Sequence, residues 1–206
     1  MDDRLNPVFA HIFRLIPTRY LSKAIIAGGA AACYEKADDI DVWVLGLNDD
    51  KKVEKFKEDL RAMNIDGIKF VTPDDVIEKQ CDSGSNWNNQ IIANISCGIA
   101  VPEDSIFDIT YSKPVQIMAS VFMSPSDLLS DFDLSTHCIG FNASGQEYRI
   151  AATTTTDVAP RIVCAPKSPD RTLSRYRRFC LRYGVAPDPT ELVKLCTMPD
   201  PEPENG

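Results

Sequence analysis

The chain has 206 residues, of which 44% are hydrophobic and 25% charged, a size and balance suited to one compact domain with a short appendage. Thirty acidic residues against 22 basic ones give a net charge of −8, which excludes indiscriminate coating of a nucleic-acid backbone while leaving room for a local basic face. No apolar run reaches the roughly 18 to 20 residues that cross a bilayer, and the N-terminus lacks the secretory pattern, so a cytoplasmic protein with no membrane partner is expected.

Val8, Phe9, Ile12, Phe13 and Ile16 recur at helical spacing, predicting an amphipathic N-terminal helix within residues 5–23 whose first stretch ends at Pro17. Ala24-Ile25-Ile26-Ala27 reads as a strand or turn, broken by Gly28-Gly29. Residues 30–34 then form a short helix and residues 39–45 a strand. Residues 51–63 place Val53, Phe56, Leu60 and Met63 on one face of a surface helix that packs on the sheet. A strand is predicted at 68–71, a helix start at 72–75 and an exposed loop at 81–89. Residues 91–100 and 105–111 read as strands, the second turning through Ser112-Lys113-Pro114 into a hairpin with 115–119.

Ser124-Pro125-Ser126-Asp127 has helix N-cap chemistry and leads to Phe132-Asp133-Leu134 and a strand at 138–141, which 147–152 rejoins after a turn. Residues 171–183 form a basic helix, and the Pro- and Glu-rich 199–206 a disordered tail. The expected fold is α/β (α+β), a mixed β-sheet flanked by helices. Its main domain spans 1–164, with a C-terminal helical appendage at 165–198.

Seven dispersed cysteines without a C-x-x-C pair read as free thiols of a reducing compartment. His11 and His137 are the only histidines, and neither sits in a nucleophile motif, which argues against a triad hydrolase and against zinc. His137 reads as a core or surface histidine, and Trp43 as a core residue.

Strand alternation puts Asp39 and Asp41 on one face, about 7 Å apart at the backbone, with Ile40 and Val42 turned into the core. Two carboxylates so placed chelate a hard divalent cation that shares its shell with substrate phosphates. Gly28 and Gly29 expose backbone N–H groups to phosphate at the following helix start. Arg175, Arg178 and Arg182 share one face of the basic helix, opposite Tyr176, Phe179, Cys180 and Tyr183. Their guanidinium groups match a triphosphate or a polynucleotide end.

Ile25-Ile26-Ala27-Gly28-Gly29 followed by Asp39-Ile40-Asp41-Val42 resembles the signature of the nucleotidyltransferase superfamily that includes DNA polymerase β and the tRNA CCA-adding enzymes. More loosely, residues 113–118, Phe132-Asp133-Leu134 and 175–184 are similar to virus-type members of that fold. The resemblance implies a nucleotidyltransferase using Mg2+, with Mn2+ as an alternative. Asp39 and Asp41 would hold the metal, Gly28 and Gly29 would cradle a nucleoside triphosphate, and the acceptor would be RNA or its 3′ end, a protein or a small molecule. Its third catalytic acid would fall where this chain has Val115-Gln116-Ile117. A glutamine coordinates through its carbonyl but cannot act as base, so either Asp108 or Asp133 would serve as the third acid or two carboxylates would suffice at a reduced rate. The alternative is a catalytically incomplete member acting as a nucleotide- or partner-binding module.

Overall fold

The computed structural model describes residues 7–71, 89–95, 113–150, 160–163 and 169–197. Asp108, the expected helix start at 72–75, the expected strand at 105–111 and the tail lie outside them. In chain order the described elements begin with α1 (Pro7–Phe13), a 3-10 turn (Thr18–Lys23), β1 (Ala24–Ala27), α2 (Gly29–Ala32) and β2 (Ile40–Val44). They continue with α3 (Asp50–Ala62), β3 (Ile68–Phe70), β4 (Asn89–Ile95), β5 (Val115–Ser120) and α4 (Pro125–Ser130). The last are β6 (Ile139–Asn142), β7 (Glu147–Arg149), α5 (Pro169–Tyr183) and α6 (Pro189–Thr197).

One mixed seven-stranded sheet in the order β3-β4-β5-β2-β1-β6-β7 organises the fold. Among the described strands only the β2–β5 pair is parallel. The uninterrupted apolar run of β1 is explained by its central place, since all four of its residues are buried. On one face Ile26, Ile40, Val42, Val44, Val115 and Ile117 pack with Val8, Phe9 and Ile12 of α1 and with Val53, Phe56 and Leu60 of α3. On the other, Ile25, Trp43 and Met118 meet Leu128 and Leu129 of α4. α4 begins at the N-cap its sequence predicts, and α3 begins behind an aspartate cap of its own. Asp49 accepts from the Lys52 N–H at 2.8 Å ahead of α3, and Ser124 from the Asp127 N–H at 3.2 Å ahead of α4.

The expected hairpin of 105–111 with 115–119 is corrected. β5 has β2 along one edge, Ile40 opposite Val115, and β4 antiparallel along the other, Ile95 opposite Val115. A central strand needs neighbours that tolerate burial. β4 carries no charged side chain, and its Ile92, Ala93 and Ile95 are at most 1% exposed.

Between β1 and β6 the chains approach too closely for a side chain at 140. A Cβ on Gly140 would stand 2.6 Å from Ile25 Cδ1 and 3.0 Å from the Ile26 carbonyl oxygen. Gly140→Ala is expected to lower stability by about 1–3 kcal/mol through overpacking. Urea unfolding would read this as a lower midpoint at unchanged slope, and an unaltered midpoint would contradict it.

The C-terminal helices share a third core, in which Leu134, Ile162, Tyr176, Phe179 and Cys180 meet Leu192 and Leu195. Leu134 bridges to Ile162, whose N–H donates to Glu191 Oε2 at 2.7 Å. The Tyr176 hydroxyl accepts from the Asp188 N–H at 2.8 Å. These contacts join α5 and α6 to the segment before β6, next to the turn that follows β1. Among the described residues no helix is long and apolar enough to cross a membrane.

Candidate functional site

The end of β1 and the start of β2 lie side by side, and the link between them brings the glycines over the acids. Gly28 has φ +90°, in the region that favours glycine, and its N–H donates to the Ile139 carbonyl at 3.1 Å. The carbonyls of Gly28 and Gly29 accept from the N–H groups of Ala32 and Cys33 at 3.0 and 2.9 Å, closing the short α2. A Cβ on Gly28 would stand 3.9 Å from Asp41 Oδ2 and 3.7 Å from the Phe132 ring. The turn therefore sits directly above the Asp41 carboxylate.

Asp41 is opposite Gln116 in the parallel register, and Gln116 is opposite Asn94 on β4. Paired residues share a sheet face, so a carboxylate and two carboxamides form a half-buried polar row across three strands. Burial first, then the neighbouring Asp39 charge, push the Asp41 carboxyl up to about 7 against an opposing effect of Arg175. Burial, and then Asp38, also raise Asp39, while Arg178 and Arg182 oppose the rise. The Asp41 carboxylate makes no hydrogen bond or ion pair among the described residues. A largely desolvated carboxylate without a partner, beside a second one, suits a divalent cation, which would supply the missing counter-charge. Among the described residues no group of three or more His, Cys, Asp or Glu side chains converges on one point. The donor set is the aspartate pair.

α5 lies across this end of the sheet with Tyr176, Phe179 and Cys180 buried. The basic side of α5 faces the acids. Arg182 donates to Asp38, an ion pair that holds the Asp38 carboxyl below its ordinary range. Arg175 pairs with Asp133 at 3.0 Å. Arg178 is exposed, makes no ion pair among the described residues, and acts on Asp38 and Asp39 through its charge. Lys113 donates to the Glu35 carbonyl at 3.2 Å and to the Ala37 carbonyl, fixing the segment that delivers Asp38 and Asp39.

Gly28, Gly29, Asp39, Asp41, Gln116, Arg175, Arg178 and Arg182 thus gather at one end of the sheet. Asp133, expected as an alternative third acid, is instead occupied. It accepts from the Thr172 hydroxyl at 2.8 Å as well as pairing with Arg175, and so anchors α5. Asp108 lies outside the described residues. Sequence reasoning missed Asp38 and Lys113, although the run Asp38-Asp39-Ile40-Asp41 carried the signal for the first, and it missed the placement of His137 against Gly29. Neither models of known protein families nor curated proteins yield a match to this chain.

Among the described residues Arg178 is the arginine of the three without an ion pair, and its side chain is exposed. Were the chain to bind a nucleoside triphosphate at this face, Arg178→Ala would be expected to weaken that binding by about tenfold and to flatten its salt dependence, as loss of one phosphate contact would. Equal affinity and an equal salt slope, measured by calorimetric titration at two ionic strengths, would show that the side chain is only solvated.

Proposed function

We propose that the chain is a nucleotidyltransferase that moves a nucleoside monophosphate from a nucleoside triphosphate to an acceptor hydroxyl. The observation that carries this reading is the partnerless Asp41 carboxylate beside Asp39, under a side-chain-free turn and facing the arginines of α5. It is supported by the resemblance of Gly28-Gly29 and Asp39-Ile40-Asp41 to the nucleotidyltransferase signature. Asp39 and Asp41 would hold Mg2+, or Mn2+ in its place, which supplies a Lewis acid for charge developing on the α-phosphate.

Gly28 leaves the approach to Asp41 open, so a phosphate chain can come close to the acids. Arg178, with Arg175 and Arg182 behind it, neutralises the phosphates that leave. Asp39 and Asp41, once opposed by cationic charge, stay ionised at neutral pH. Gln116, level with Asp41, offers its carbonyl as a ligand and its amide N–H groups to the substrate.

Gln116 also favours a second reading, a nucleotide-binding module, because the strand beside Asp41 presents an amide where catalysis calls for an acid. The test is pyrophosphate release with Mg2+ and each of the four nucleoside triphosphates, with and without RNA presenting a 3′ hydroxyl. Release with at least one of them supports the enzyme. Binding without release, followed by turnover in Gln116→Asp, would replace it with the module.

A further inference from the structure

The polar row of Asp41, Gln116 and Asn94 does not stop at β4. Asn94 is opposite Lys69 in the antiparallel register of β4 with β3, so four adjacent strands present an acid, two carboxamides and an ammonium in line on one face. Lys69 is exposed, and Gln116 and Asn94 are half-buried. Among the described residues the side chains of Gln116, Asn94 and Lys69 make no hydrogen bond or ion pair, and the carboxamide atoms are not sealed from solvent. The next row along the same face, Trp43, Met118 and Ile91, is apolar and packs with Leu128 and Leu129 of α4. An apolar side chain packs better at a half-buried position of a central strand, so unpaired carboxamides there suit the hydrogen bonds of a ligand.

The row also has a direction. In-line displacement puts the attacking oxygen opposite the leaving group. The glycine turn follows β1, and α5 meets the segment before β6 through Phe179 and His137, so the groups assigned to the triphosphate lie on the β1 and β6 side of Asp41. Gln116, Asn94 and Lys69 run from Asp41 toward the opposite side. With strands about 4.8 Å apart, Lys69 stands roughly 14 Å from Asp41 at the backbone, the scale of a terminal dinucleotide.

We propose that this row seats the acceptor and that the acceptor is the 3′ end of a single-stranded RNA, with Gln116 and Asn94 hydrogen-bonding the hydroxyls of the terminal riboses and Lys69 pairing with a phosphodiester behind them. A carboxamide both donates and accepts, as a ribose hydroxyl does, and the unpaired ammonium at the far end matches a backbone charge that an uncharged acceptor would leave unused. The terminal 3′ oxygen bonds to the α-phosphorus as the bond from that phosphorus to the pyrophosphate oxygen breaks, and the hydroxyl proton passes to water because Gln116 is no base. The role as acceptor rests on the nucleotidyltransferase reading, whereas binding of RNA along the row needs no turnover.

The test is fluorescence anisotropy of a 5′-labelled oligouridylate with a free 3′ hydroxyl, titrated with the full chain in Mg2+ at two salt concentrations. Wild type is expected to bind. Lys69→Ala should lose about threefold or more and lower the salt slope by about one. Asn94→Leu should lose about three- to tenfold, the worth of a hydrogen bond. Changing the two terminal riboses to 2′-deoxyriboses should cost wild type a similar factor and Asn94→Leu little more, because both changes remove the same contact. Lys69→Ala, at an exposed position, decides alone if Asn94→Leu does not fold.

No binding by wild type, or wild-type affinity in both variants with an unchanged salt slope in Lys69→Ala, overturns the RNA site. RNA binding that depends on Lys69 and Asn94, in a protein that releases no pyrophosphate, upholds the RNA site and removes the enzyme. Pyrophosphate release that is as fast without RNA, or whose KM for RNA is unchanged in both variants, keeps the enzyme and overturns the row as its acceptor seat.

Discussion

Asp41→Asn is expected to make the metal-free protein more stable at pH 8 than wild type. Folded Asp41 keeps its proton up to about 7, whereas the unfolded chain releases it near 3.8. Between those values the folded state binds more protons than the unfolded one, so stability falls as pH rises through the window. The full shift corresponds to at most about 4 kcal/mol, which the Asn side chain does not lose. Urea unfolding of both proteins at pH 4 and pH 8 reads the difference, which should be largest at pH 8. With Mg2+ and a nucleoside triphosphate the order should reverse. Wild type then gains stability by mass action and the variant gains little, most completely in Asp39→Asn/Asp41→Asn. A variant no more stable than wild type at pH 8 would remove the strain assigned to Asp41. Equal stabilisation of wild type and double variant by Mg2+ and triphosphate would remove the metal assignment.

Asp133→Ala is the second large effect, and its direction separates an anchor from a catalytic acid. The substitution leaves Arg175 without its carboxylate and the Thr172 hydroxyl without its acceptor, both beside the third core. Breaking a buried pair on one side costs about 3–5 kcal/mol. Because Arg175 keeps 29% exposure of its side chain, the expected loss is about 2–4 kcal/mol. Asp133→Asn retains an acceptor for Thr172 and should lose less. Unfolding midpoints measure both variants. Unchanged stability together with lost pyrophosphate release would return Asp133 to the role of third acid.

The parts of the site that were legible in the sequence are those set by local pattern. Strand alternation placed Asp39 and Asp41 on one face, and helical spacing separated the arginines of α5 from Tyr176, Phe179 and Cys180. The Gly28-Gly29 break fell where β1 ends. Pairings between distant segments were not legible in this way. Which strand lies beside β5 depends on what can be buried between β3 and β5, and a promising turn at 112–114 does not encode that. Asp133 carries the same apolar flanks as a catalytic acid, and nothing in that triplet foretells the contacts it makes with Thr172 and Arg175 of α5. The side of α5 that is basic could be read, but not that it turns toward Asp38 and Asp39. His137, a lone histidine between Thr136 and Cys138, offers no local cue to the glycine it meets.

The pair between Asp38 and Arg182 closes a loop of 144 residues. The contact joins residues made far apart in synthesis and cannot form until residue 182 has been added. During N-to-C synthesis the sheet strands leave the ribosome before α5 is available, and the acidic end of β2 stays uncovered in the interval. A nascent chain stopped before residue 169 would carry the glycine turn and both aspartates but lack every arginine of α5. Completion of the chain, rather than of the sheet, sets the moment at which this end of the molecule first presents balanced charge to a ligand.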